Sequence, residues 1–106
     1  MIGNAIQFKK TNSPPKMKKF IVDITLQGLD METRMKLLPA EQEGVKILEQ
    51  NGSILDSFIK LENPGIFMVM MAESQEDVHA KLSILPYYPY MKIDIIPVRV
   101  DNAIAQ

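Results

Sequence analysis

Seven consecutive apolar residues, Ile66-Phe67-Met68-Val69-Met70-Met71-Ala72, restrict this chain more than any other stretch. The run is far shorter than the ~20 residues a membrane-spanning helix needs. Turn formers bound it, with Pro64-Gly65 ahead and Glu73-Ser74 behind. It therefore reads as a strand that is apolar on both faces. Strand side chains alternate from face to face, so both faces of the sheet that holds it must be covered.

The neighbouring segments supply the rest of that sheet. Ser53 to Leu61 reads as a second, less regular strand, and Glu62-Asn63-Pro64-Gly65 is a tight turn between the two. Strands so closely joined form an antiparallel hairpin. Upstream, Phe20, Val22, Ile24 and Leu26 alternate with Ile21, Asp23 and Thr25, which marks a first strand with one buried face. Gln27-Gly28-Leu29-Asp30 then turns the chain. Downstream, a strand is expected over residues 90–100, and Pro97 inside it points to a sheet edge or a bulge.

Two helices fill the gaps. Met31 to Gln50 has helical spacing, but Pro39 lacks the backbone donor a helix interior requires. The expectation is a short turn before Leu38, then a main helix with Pro39 at its first position. Val45, Leu48 and either Ala40 or Glu41 would form its inner stripe, and Asn51-Gly52 would cap its end. Ser74 caps the second helix, with Asp77 three residues on completing something close to a capping box. Val78, Leu82 and Leu85 share one stripe, and Pro86 stops the helix. The Leu85-Pro86-Tyr87-Tyr88-Pro89-Tyr90-Met91 corner follows, either the lip of a pocket or a packed hinge.

The order β-α-β-β-α-β is the ferredoxin-like α+β pattern, a four-stranded antiparallel sheet with both helices on one face. The other face would expose a large apolar patch unless something covered it. A second copy of the chain is the simplest cover, which predicts a homodimer with facing sheets. Residues 17–100 form this one domain. Residues 1–16 are polar or helix-breaking and read as a flexible extension, or else as an arm docking on a neighbouring subunit through Ile6 and Phe8. Met17 is a second candidate start, and residues 101–106 are a short tail.

Composition narrows function by exclusion. A net charge of −1 gives no electrostatic footprint for nucleic acid. With no cysteine and only His79, neither thiol chemistry nor a histidine-rich metal site is available within one chain. No cofactor or metal is expected. The first residues lack the basic start and apolar core of a secretory signal, so the expected location is the cytoplasm, without membrane attachment.

The stretch from Asp77 through His79, Leu85-Pro86, Pro89-Tyr90-Met91 to Asp94 resembles muconolactone delta-isomerases. These carry an acidic-Leu-His helix, then a Leu-Pro and Pro-Tyr-Met corner and a strand ending near Thr-Pro-Leu. The resemblance runs from about Met17 to Val98, with Gly52, Ser74 and Pro97 at matching places and Glu41 matching a helix glutamate. It implies a dimeric α+β barrel, often in larger homo-oligomers. It also implies a cofactor-free shift of a proton and a double bond within a lactone ring. In the second strand, Phe58-Ile59 stand where the resemblance leads one to expect Trp-Arg. An arginine there could hold a substrate carboxylate; Ile59 cannot, and Lys60 points to the opposite face.

Such a proton shift needs a base beside the pocket and a donor or cation for the developing enolate. His79 and Glu41 are the candidate proton carriers. His79 borders the core one position off the apolar stripe; its plainer role is a bond to a backbone group or to Ser83. Glu41 and Glu43 would sit in the first turn of the main helix, where the dipole alone favours acids. Tyr88 and Tyr90 are candidate phenol donors to a ligand, or simply corner packing. Asp23, mid-strand among apolar residues, needs a pocket or a partner at a subunit interface. Phe58 is a candidate ligand contact. Three readings follow. One is an isomerase-like enzyme acting on a small lactone or unsaturated carboxylate. Another is a non-catalytic ligand-binding or assembly protein on the same scaffold. The third is a cofactor-free oxygenase or a haem-binding relative relying on His79.

Overall fold

The computed structural model describes residues 17–62 and 64–99. The extension expected over 1–16 and the tail over 101–106 lie outside the described residues. Four strands and two helices follow in the expected order: β1 (Lys18–Leu26), α1 (Met31–Gln50), β2 (Ile54–Ile59), β3 (Gly65–Ala72), α2 (Gln75–Leu82) and β4 (Met91–Val98). A single 3-10 turn, Tyr88–Tyr90, joins α2 to β4. The sheet runs β2-β3-β1-β4 with every neighbouring pair antiparallel. Pro97 therefore sits on an edge strand, where its missing N–H costs the sheet least.

Both helices cover one face. Phe20, Val22 and Ile24 of β1 and Met68, Met70 and Ala72 of β3 join Leu48 of α1 and Val78 and Leu82 of α2 in one buried core. Fully burying a side chain of this size contributes about 1.5–3 kcal/mol. The β1–β3 approach is close. A Cβ on Gly65 would stand 2.1 Å from the Ile24 carbonyl oxygen, so no larger residue fits there. The irregularity of β2 has a specific origin. Its pairing with β3 slips between Ile54 and Asp56, so Ile54 faces the core while Phe58, opposite Phe67, lies on the other face. A bulge of this kind shifts the two-residue period by one.

Two expectations about the helices are corrected. First, α1 is continuous from Met31 to Gln50 with Pro39 inside it. Pro39 is exposed, and so is Met35, whose carbonyl loses its usual helical partner and faces solvent. Glu41 and Glu43 are thus mid-helix, and the first-turn acid is Glu32. The helix starts at Asp30, whose carboxylate accepts the Thr33 N–H at 2.7 Å. It closes in a Schellman arrangement. Ser53 N–H donates to Leu48 O and Gly52 N–H to Glu49 O, with Gly52 at φ +83.

Second, α2 ends at Leu82, ahead of Pro86. Pro86 has no N–H to offer Leu82 O and keeps Leu85 out of helical geometry. Leu85 N–H takes that carbonyl instead, at 2.9 Å, and the Ser83 hydroxyl donates to Ala80 O at 2.6 Å. At the other end Ser74 Oγ accepts the Asp77 N–H at 3.1 Å. The reciprocal bond goes one residue further back, from Glu73 N–H to Asp77 Oδ2 at 2.9 Å.

The sheet face away from the helices carries Ile21, Val69 and Ile96 in one row and Phe58, Phe67, Asp23 and Asp94 in the next. The strand read as apolar on both faces is so: Met68 and Met70 are buried, while Phe67, Val69 and Met71 face outward. Among the described residues no helix is long and apolar enough to cross a membrane.

Candidate active site

The continuity of α1 sets up the site. Arg34, Leu38, Glu41, Val45 and Leu48 recur at intervals of three and four, so they share the stripe that faces the sheet. Where that stripe leaves the core, a cavity of about 400 Å³ opens between α1, the sheet and the corner. Ile24, Ile59, Ile66, Met68 and Met91 make its apolar walls; Arg34, Glu41, Gln42, Lys60 and Tyr87 are its polar lining.

Glu41 is 8 % exposed, a carboxylate that α1 carries inward. Its Oε1 accepts the backbone N–H of Tyr87 at 2.9 Å. Burial pushes its carboxyl above the ordinary 4.5, and the Tyr87 N–H offsets this in part. Tyr87 also ties the corner to α1 from its other end, its phenol donating to Arg34 O at 2.8 Å. The corner is therefore both of the things its sequence allowed. It is the lip of a cavity, and it is packed hard. Leu85 is buried, and a Cβ on Gly44 would come within 2.7 Å of it.

Of the residues singled out from sequence, Glu41 alone lines this cavity. His79 lies on α2 with its Nδ1 2.9 Å from the Tyr88 hydroxyl and the two rings edge to face. Tyr88, not Ser83 or a backbone group, is the partner of that imidazole. Tyr88 packs against the core, and Tyr90 is half-buried in the 3-10 turn. Asp23 and Phe58 are on the opposite face of the sheet. There Asp23 is neutralised by Lys60, which also donates to Thr25 Oγ1 at 3.0 Å and stands 5.1 Å from the centre of the Phe67 ring. The Asp23 Oδ1 atom is buried without a well-directed hydrogen bond, so its partner is the ammonium charge itself. Phe58 is exposed.

Sequence reasoning missed Arg34, Gln42 and Tyr87. Arg34 was hidden by dividing the helix at Pro39, since the stripe through it exists only if the helix runs through the proline; Gln42, exposed beside Glu41, carried no signal of its own. Tyr87 carried no signal apart from its neighbours, because three tyrosines in four positions look alike until the turn fixes which one faces inward.

A buried carboxylate in a small apolar cavity, lipped by a Leu-Pro and Pro-Tyr-Met corner, is the setting in which the comparisons with known proteins fall. The family model for muconolactone delta-isomerase matches residues 18–102. The chain belongs to the muconolactone delta-isomerase family. A crystal structure of muconolactone isomerase at 3.3 Å resolution superposes with a TM-score of 0.66 at 23% identity, covering 80% of this chain and 92% of that one. At that identity the match shows a shared fold. No curated protein sequence matches the chain. Phe58-Ile59 occupy β2 where the resemblance led one to expect Trp-Arg.

Proposed function

We propose that this muconolactone delta-isomerase family member is a cofactor-independent isomerase. It would move a proton, and with it a double bond, within a small lactone or unsaturated carboxylate. The observation that carries this is Glu41, a carboxylate held inside a 400 Å³ apolar cavity with its basicity raised by burial. Fixed by Tyr87 N–H at Oε1, it offers Oε2 to the substrate. That oxygen takes a proton from the saturated carbon at one end of the conjugated system, and the electron pair spreads over the dienolate. The same carboxyl then returns the proton to the carbon at the other end, which for an α,β-unsaturated lactone is the carbon beside the carbonyl, so the product is an isomer and nothing else is consumed. A pKa raised by burial makes Glu41 a stronger base. His79 and the phenols of Tyr88 and Tyr90 support the corner in this reading; the proton carrier is Glu41.

The test is direct. Purified protein with muconolactone should show loss of the starting isomer above the buffer rate. Glu41→Gln should lower kcat/KM by about 10²–10⁴-fold, the usual contribution of a positioned base. Activity should fall as pH drops through the Glu41 pKa, which lies above the ordinary 4.5. No turnover above buffer removes the isomerase reading and leaves a ligand-binding protein on the same scaffold. That alternative has one observation in its favour, the placement of His79 outside the cavity.

We further propose that a second copy covers the outer sheet face, through the row formed by Ile21, Val69 and Ile96.

A further inference from the structure

On β2 the wall of the cavity is Ile59, 81% exposed and apolar. An apolar cavity with a lone carboxylate repels an anionic ligand and favours a neutral one. Two cations nevertheless line it, Lys60 and Arg34. Lys60 is committed. It neutralises Asp23, donates to Thr25 and lies against the Phe67 ring, all on the other side of the sheet. Arg34 is different. Among the described residues no carboxylate pairs with its guanidinium; the ion pairs there are Lys60–Asp23 and Lys81–Asp77.

We propose that Arg34 is the anion-holding residue of this cavity, and that its ligand is a small carboxylic acid bound with its carboxylate toward the Arg34 end of α1. The deduction rests on Glu41 marking the reacting end of the same cavity. Arg34 and Glu41 are seven residues apart on one helical stripe, about 10 Å along the axis at 1.5 Å per residue. Both residues line the same cavity, which is sized for one small molecule. Guanidinium is the cation best suited to the task, since it binds a carboxylate through two parallel N–H bonds and stays ionised when partly buried. The anchor at one end of the ligand and the base at the other would fix which carbon meets Glu41. The backbone supports the arrangement. Tyr87 OH bonds to the carbonyl of Arg34, so the corner that orients Glu41 also fixes the helix turn from which Arg34 projects.

The experiment compares acids with their neutral esters. Muconolactone, crotonate, benzoate and cis,cis-muconate, each with its methyl ester, are titrated into wild type, Arg34→Met, Arg34→Lys and Glu41→Gln, with binding read by calorimetry and by amide shifts in NMR spectra. Wild type should prefer at least one acid over its ester. Arg34→Met should weaken that acid by about tenfold or more, the strength of a charge-assisted bond, and leave the ester unchanged. Arg34→Lys should restore part of the preference. Glu41→Gln should bind the acid at least as well as wild type, because the competing charge is gone. Equal acid affinity in Arg34→Met and wild type overturns the assignment, as does a wild type that binds none of the acids. Acid binding through Arg34 with no turnover of muconolactone would sink the isomerase reading while leaving the anion site standing. The Arg34 variants keep the backbone carbonyl that Tyr87 uses, and an unchanged dispersed NMR spectrum verifies their fold.

Discussion

At Glu41 two effects oppose each other, and their order decides a measurable sign. Burial favours the protonated acid; the Tyr87 N–H favours the carboxylate; burial is the larger. The folded protein therefore holds this proton to higher pH than the unfolded chain does. The contribution of Glu41 to stability is complete below its ordinary 4.5 and is lost as pH rises through the raised value in the folded state. Glu41→Gln keeps an oxygen for Tyr87 N–H and removes the charge. It should accordingly melt at a temperature equal to or above wild type at pH 7–8, with the advantage shrinking toward pH 4. A larger loss of melting temperature at pH 7 than at pH 4 would show that the ionised form is the stabilised one. At this scale the sequence was half legible. Glu41 stood out because an acid on an apolar stripe is unusual. Tyr87 and Arg34 did not, because their inward placement depends on a turn and a helix register that only tertiary packing selects.

Helix α1 shows how a local rule can mislead. Proline in a helix interior costs ~3 kcal/mol relative to alanine, and that figure supported a break at Leu38. The break does not occur, since the stripe from Leu38 to Leu48 gains more from lying on the sheet and its cavity than Pro39 takes away. Pro39→Ala should then stabilise the protein by about 1–3 kcal/mol in urea unfolding, the lower end reflecting the greater freedom of the unfolded variant. A destabilised variant would mean that the proline holds a helix start after all. The strands were more transparent than the helices. Strict alternation exposed β1, and a double-faced apolar run exposed β3. In β2 the bulge after Ile54 defeated parity, which is why Phe58, two turns of the pleat beyond a core residue, lies on the opposite face.

For the whole molecule, the element order alone led to the fold, because β-α-β-β-α-β leaves few ways to pair four strands. What covers the outer face is a question of assembly. Phe67 is 39% and Ile96 52% exposed on a single chain, more apolar surface than a lone sheet comfortably leaves wet. Light scattering should give a mass at least twice 12.0 kDa. Ile96→Lys, which sets an ammonium in the middle of that face, should shift the population toward monomer at micromolar concentration without altering the far-UV spectrum. A monomeric wild type ends the facing-sheet proposal. One further consequence concerns time rather than space. Tyr87 reaches back 46 positions to Glu41 and 53 to Arg34. A nascent chain can lay down both helices and three strands and still lack the clasp that aims its carboxylate. Closures this distant in sequence are slow to form. A chain cut short before the corner would lack both the N–H that Glu41 accepts and the phenol that donates to Arg34 O.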